Sequence, residues 1–349
     1  MSSVFFGIAN RSFLYDRTLG RGEQFGSGFS YPMDLALGPN GIIYVLSRGS
    51  EYRPDGLRVS IMTIDEEYIG QFSQFGSGDG ELTWPTSVAL DSNQNVYVTD
   101  EALNRISIFD KDGEFLSKWG VAGSGDGELN KPAGIKFDAE DNLYVADGSN
   151  NRVQKFTKDG KFLLKWGEAG SGEGQFNLPW GLALDSKGDV YVADWRNNRI
   201  QKFTADGQFL AEFGSRGGVA PVFHPSTAEH GELNPTQQSG PGEFNRPTAV
   251  AVDKDGDVYV VDWGNDRVQV LTPDGRHITT FTGDAGMSKW GQEKLNANPD
   301  MIRQRNLMRD MSSEKHFWRP KAIEIDDAGR IIILDSNRNR LQVYRKDNY

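Results

Sequence analysis

PAGIKFDAEDNLYVADGSNNRVQKFTKDGKFLLKW, residues 132–166, decides the fold. Gly134–Phe137 reads as a short apolar strand and Asp138–Asn142 as a turn of Asp and Asn. Leu143–Ala146 is a second strand, and Gly148–Asn151 is another turn. Arg152–Thr157 is a third strand, Lys158–Gly160 a hairpin turn, and Lys161–Trp166 a fourth strand. Period-2 alternation marks the strands, and Asn, Asp and Gly mark the turns. Four antiparallel strands in so few residues cannot bury their own faces, so such a unit must pack against copies of itself.

The copies are present. Units open at Pro32 (PMDLALGPNGIIYVLS), Pro85 (PTSVALDSNQNVYVTD), Pro132, Pro179 (PWGLALDSKGDVYVAD), Pro247 (PTAVAVDKDGDVYVVD) and Pro320 (PKAIEIDDAGRIIILD). The starts lie 53, 47, 47, 68 and 73 residues apart, a period of propellers or solenoids. The sixth unit ends after its third strand, Leu341–Arg345. Phe13–Leu19 with Gly20 mimics Phe162–Trp166 with Gly167, and would supply the missing strand and remove a sheet edge. The expected fold is all-β: one six-bladed β-propeller over residues 1–349, its last blade closed by the N-terminal strand. Insertions are expected at about 215–241 and 284–318, and the second, at Asn298–Met311, reads as a short amphipathic helix.

Tyr144–Phe156 and Tyr191–Phe203 share the run YVAD-x-x-NNR-[IV]-Q-K-F, and Gly123–Pro132 reads GSGDGEL…P. These motifs resemble the NHL repeat family, and the likeness covers nearly the whole chain.

A net charge of −11 opposes nucleic acid as a general partner, because neutralising phosphates needs clustered cations. The absence of cysteine removes disulfides and thiolate chemistry. No signal peptide or apolar span is visible, so the expectation is a monomeric cytoplasmic protein without membrane contact.

Residues that recur in every unit are expected to hold the scaffold. An Arg opens each third strand (Arg58, Arg105, Arg152, Arg199, Arg267, Arg340). An Asp closes five of six second strands (Asp100, Asp147, Asp194, Asp262, Asp335), with Ser47 in the first. Six equivalent copies give no asymmetry to orient a ligand, so mutual pairing is their expected role. Trp119 and Trp166 are expected to pack blade on blade.

Function is expected where the repeat breaks. The long connection Arg48–Leu57 and the two insertions fall in elements on one face and are expected to wall one mouth of the central channel. Trp180, Trp195, Trp263 and Trp318 gather there with Arg48, Arg196, Arg319 and Lys321. That set suits a small planar or sugar-like ligand, or a peptide, bearing an anionic group. Lys136 and Glu324 replace an inner-strand Ala and, with Asp34, are candidates for a buried pair or an acid–base set.

Some NHL-type propellers are enzymes, so a lyase or hydrolase in the same pocket is the alternative, and a protein-interaction scaffold a third. The amidating lyase resembling this fold holds zinc with a His after a blade proline. Here those positions are Met33, Thr86, Ala133, Trp180, Thr248 and Lys321, which does not support that site. Lactonases of similar fold hold calcium with Glu, Asn and Asp, to which Glu324 and Asp34 could contribute. His224, His230 and His316 are the zinc candidates, although loop histidines at loose spacing are more often merely polar. A channel calcium or zinc is the cofactor these residues would imply.

Overall fold

The computed structural model describes residues 11–24, 26–50, 53–214, 239–307 and 312–348. Six four-stranded antiparallel sheets stand around one axis. Their innermost strands are Pro32–Leu37, Pro85–Leu90, Pro132–Phe137, Pro179–Leu184, Ala249–Val252 and Pro320–Ile325. Each touches the next, and the sixth returns to the first, so the ring is closed. The closing blade is shared between the ends of the chain. Arg11–Leu19 pairs antiparallel with Arg340–Asn348, from Arg11 opposite Asn348 to Leu19 opposite Leu341.

The core lies between blades. In one cluster Ala89, Tyr97, Ile106 and Ile108 of blade two meet Ile135, Leu143, Val145 and Phe156 of blade three. Trp119 seals that seam, its ring centroid 4.9 Å from that of Phe156. The same indole explains a glycine: Gly160 has φ +87°, and a Cβ there would lie 2.6 Å from the Trp119 ring.

The recurring charges hold turns. Arg152, Arg199, Arg267 and Arg340 donate through Nε to Asp147, Asp194, Asp262 and Asp335 at 2.7–2.8 Å. In each of those blades a Gln two residues after the Arg donates to the same carboxylate. Blade two departs from this. Ser107 replaces the Gln, and both Ser107 Oγ and Arg105 Nε are buried without a partner among the described residues. Ser107→Gln is therefore expected to raise the urea midpoint by the equivalent of about 1 kcal/mol. An unchanged or lower midpoint would mean that the orphaned atoms are already hydrated.

Two expectations are corrected here. Arg48–Leu57 is no loop: the strands Ile42–Ser50 and Arg53–Thr63 pair up to Ser50 opposite Arg53, so the hairpin has simply lengthened. Among the described residues the second insertion forms three helices, α1 (Lys289–Asn296), α2 (Pro299–Leu307) and α3 (Ser312–Lys315), where one over Asn298–Met311 was expected; residues 308–311 lie outside the described residues. Helix α2 buries no residue, and Leu307 is 81% exposed, because its apolar side chains do not share one face. The anchor is α1. Its Trp290 is buried against Phe29, and Trp290 Nε1 donates to the Glu66 carbonyl at 2.7 Å. Ser288 caps α1 and donates to the Gly20 carbonyl at 2.6 Å. This helix wedges the seam where blade six meets blade one. Most of the first insertion, residues 215–238, lies outside the described residues. Among the described residues no helix is long and apolar enough to cross a membrane.

Candidate functional site

Three positions in each unit converge on one end of the channel: the residue before the proline, the residue after it, and the residue after the second strand. Their backbones are held by a repeated clamp. In five of the six units the Asn or Asp before the third strand adopts a left-handed conformation (Asn104, Asn151, Asn198, Asp266, Asn339; φ 51–57°). Its side chain accepts the N–H of the pre-proline residue of the next unit. Thus Asn198 holds Arg246 at 2.8 Å and Asp266 holds Arg319 at 2.6 Å. Arg246 and Arg319 themselves have φ of 54° and 55°, a strained state for non-glycine residues that the clamp stabilises. The strain fixes where these arginines project.

Trp180, Trp195 and Trp263 form a continuous arc, with centroids 6.1 Å apart for the first pair and 6.5 Å for the second. Arginines lie over these rings. Arg196 and Arg246 stand 5.7 and 5.0 Å from the Trp195 centroid, and Arg319 stands 4.3 Å from that of Trp263. Arg48 lies 4.5 Å over Trp84 and donates to the Pro85 carbonyl and to Thr86 Oγ1. Lys321 sits 4.6 Å over the Tyr31 ring, its Nζ 3.1 Å from Met33 Sδ. These cations lie close enough to oppose one another. Burial, then Arg196 and Arg319, lower the pKa of Arg246. Burial, Arg48 and Arg319 bring Lys321 down to about 7, against the opposing pull of Glu101.

Below this rim the channel narrows to a cavity of about 30 Å³, lined among others by Met33, Thr86, Trp180, Thr248 and Lys321. That admits about one water-sized group. One polar atom of this lining, Thr248 Oγ1, is buried without a partner among the described residues, as is Trp263 Nε1 of the arc.

Deeper, Asp34 accepts from Ser87 Oγ at 2.5 Å and from Val88 N at 2.9 Å. Burial pushes its carboxyl up to about 6, against the pull of Lys136. Lys136 Nζ donates to Glu324, joining the two exceptional inner-strand positions directly. This pair floors a wider opening of about 540 Å³ at the far end, bordered by Ala36, Ala89, Gln94 and Asp327.

Not every candidate joins the arc. Trp318 is half-exposed and lies under Arg338 of blade six, 5.6 Å away. His316 lends only its backbone carbonyl, to Arg340, and Phe317 fills the position that Leu129 and Phe176 fill in other linkers. His224 and His230 lie outside the described residues. Among the described residues, no three His, Cys, Asp or Glu side chains cluster as metal ligands would. Sequence reasoning missed Arg246, Trp84 and Tyr31. The signal was available: each immediately precedes a unit's proline, as Arg319 does.

A family model described as NHL repeat matches residues 176–203 and 244–271, and one described as 6-bladed beta-propeller matches residues 79–147. No curated protein matches the chain in sequence. Similar solved structures include a catalytically inactive virginiamycin B lyase from Staphylococcus aureus, crystallised with quinupristin. It is 15% identical with a TM-score of 0.55, over 96% of this chain and 99% of that one. A gluconolactonase from Xanthomonas campestris is 13% identical with a TM-score of 0.57, over 98% and 91%. A protein of unknown function from Bacteroides thetaiotaomicron is 18% identical with a TM-score of 0.61, over 97% and 77%. At these identities the likeness establishes the fold alone.

Proposed function

For this chain, a six-bladed β-propeller of the NHL-repeat family, we propose that the arginine-bearing tryptophan arc binds a small anionic ligand with a flat or sugar-like body. The observation that carries this reading is the stacking of Arg196, Arg246 and Arg319 on Trp195 and Trp263. In a chain of net charge −11, several cations crowd one rim and raise each other's energy. An anion would relieve that repulsion, and the indole faces would stack on a planar or sugar ring. The Thr248 hydroxyl, unpartnered among the described residues, lines the cavity and offers a hydrogen bond to an incoming group. The narrow cavity admits one small end of the ligand, so its body would lie on the rim.

Tryptophan fluorescence tests this directly. Glucuronate and phenyl phosphate are expected to change the emission saturably, and glucose and phenol are not. Arg319→Ala should weaken binding of the anions by about tenfold to a hundredfold, the equivalent of losing one charge-assisted hydrogen bond. Anions and neutral counterparts acting alike, or an unaffected Arg319→Ala variant, would overturn the reading.

A further inference from the structure

We propose that Lys321 captures carbonyl compounds, its amine forming an imine with an aldehyde or ketone group on the anionic ligand. The inference rests on the ligand site proposed above and names the class of ligand that site takes.

The two lysines of the channel stand in opposite surroundings. Lys136 is tied to Glu324 and attracted by Asp34, which raises its pKa and keeps it an ammonium. Lys321 has no carboxylate within ion-pair distance among the described residues. Its Nζ has instead a thioether, Met33 Sδ at 3.1 Å, and an aromatic face, Tyr31. Arg48 and Arg319 repel its charge and Glu101 attracts it, while Asp34, Lys136 and Glu324 line the same cavity further in. An ammonium between two guanidiniums, partly removed from water, loses its proton readily. Burial and those arginines bring it to about 7, which leaves a nucleophilic amine at neutral pH.

The position suits capture as well as the charge does. Lys321 lines the cavity of about 30 Å³ that lies under the rim. That space fits a carbonyl group, while Arg319 and Arg48 beside it suit a carboxylate or phosphate elsewhere on the same molecule. The neutral amine adds to the carbonyl carbon, forming a C–N bond as the C=O π pair moves to oxygen. The nitrogen gives up its proton to that oxygen through solvent. The hydroxyl is protonated and leaves as water, and C=N forms. Amine and carbonyl are consumed, imine and water are produced, and no redox partner is needed.

Reductive trapping reads the inference out on the intact protein. Pyridoxal 5′-phosphate, an anionic aromatic aldehyde, is incubated with the protein near pH 7. Borohydride then supplies the hydride that converts imine to a stable secondary amine, and peptide mass spectrometry locates the label. Lys321 is expected to carry about tenfold or more label than exposed lysines such as Lys187 and Lys254. Pyridoxal lacking the phosphate should label Lys321 several-fold less. Lys321→Met should remove the dominant label while the melting curve shows a folded protein. Even labelling across lysines, or a pattern unchanged in Lys321→Met, would overturn the proposal. If anions still change the tryptophan emission while Lys321 stays unlabelled, only the imine falls. If no anion binds, the ligand site falls with it.

Discussion

Without Arg11–Leu19, the protein is expected to lose cooperative melting as a monomer. That strand covers the whole outer edge of Arg340–Asn348. Leu19 is buried in the seam between blades six and one. Phe13 packs edge-on against Phe281 and Tyr259, and Tyr15 against Tyr344. Each side chain removed this way is worth about 1.5–3 kcal/mol, so the packing loss alone is on the order of 5 kcal/mol. A loss of that size is comparable with the whole stability of an ordinary domain. The uncovered strand would also present free N–H and C=O groups for pairing between molecules. Calorimetry should show a broadened transition at least several degrees lower, and light scattering should show oligomers. A truncated monomer with an unchanged melt would contradict the closure.

The fold was legible because each unit repeats its chemistry at fixed offsets. The Pro start, the Asp ending the second strand and the Arg opening the third recur six times with few exceptions, and each exception is informative. Ser47 stands where Asp is missing, and there Arg58 turns to Ser60 Oγ and to backbone carbonyls of residues 23, 24 and 28. The N-terminal closing strand was legible for the same reason, as a fragment matching the part the last unit lacks.

The insertions were less legible because no repeat constrains them. The Asn298–Met311 pattern suggested one amphipathic helix, yet the buried anchor is Trp290 in the preceding helix. That helix is specified by contacts with Glu66 and Gly20, more than 200 residues away in sequence. Such partners leave no local periodicity. The rim was half legible. Residues after each proline drew attention to Trp180 and Lys321, and residues after each Asp to Trp195 and Trp263. Arg246, Trp84 and Tyr31 escaped notice because residues before proline ordinarily favour extended conformations pointing elsewhere. Here Asn198 and Asp266 hold Arg246 and Arg319 at positive φ, and that turns them onto the indoles.

Lys136→Ala is expected to destabilise the fold by about 3 kcal/mol at pH 8 and by less at pH 5. The side chains of Lys136 and Glu324 remain 27% and 19% exposed, which places the cost at the low end for orphaning a buried charge. The pH dependence follows from what remains. Removing the cation leaves Glu324 and Asp34 in the channel without the lysine that holds their charge. The folded-state pKa of Asp34, already pushed up to about 6 by burial, then rises further above its value in the unfolded chain. A native state that binds more protons than the unfolded one loses stability as pH climbs from the unfolded pKa through the folded one. The deficit should therefore grow between about pH 4 and the new folded value of Asp34, and flatten above it. The double variant Lys136→Ala, Glu324→Ala supplies the decisive comparison. It restores the alanine found at this position in the other four blades, and it should recover most of the loss. Such recovery identifies the pair as a mutual neutraliser between the two ends of the channel. If the single variant melts like the parent while anion binding at the rim collapses, the pair belongs to the site. A double variant as unstable as the single one would mean that the aliphatic stem of Lys136, and not its charge, supports the channel wall.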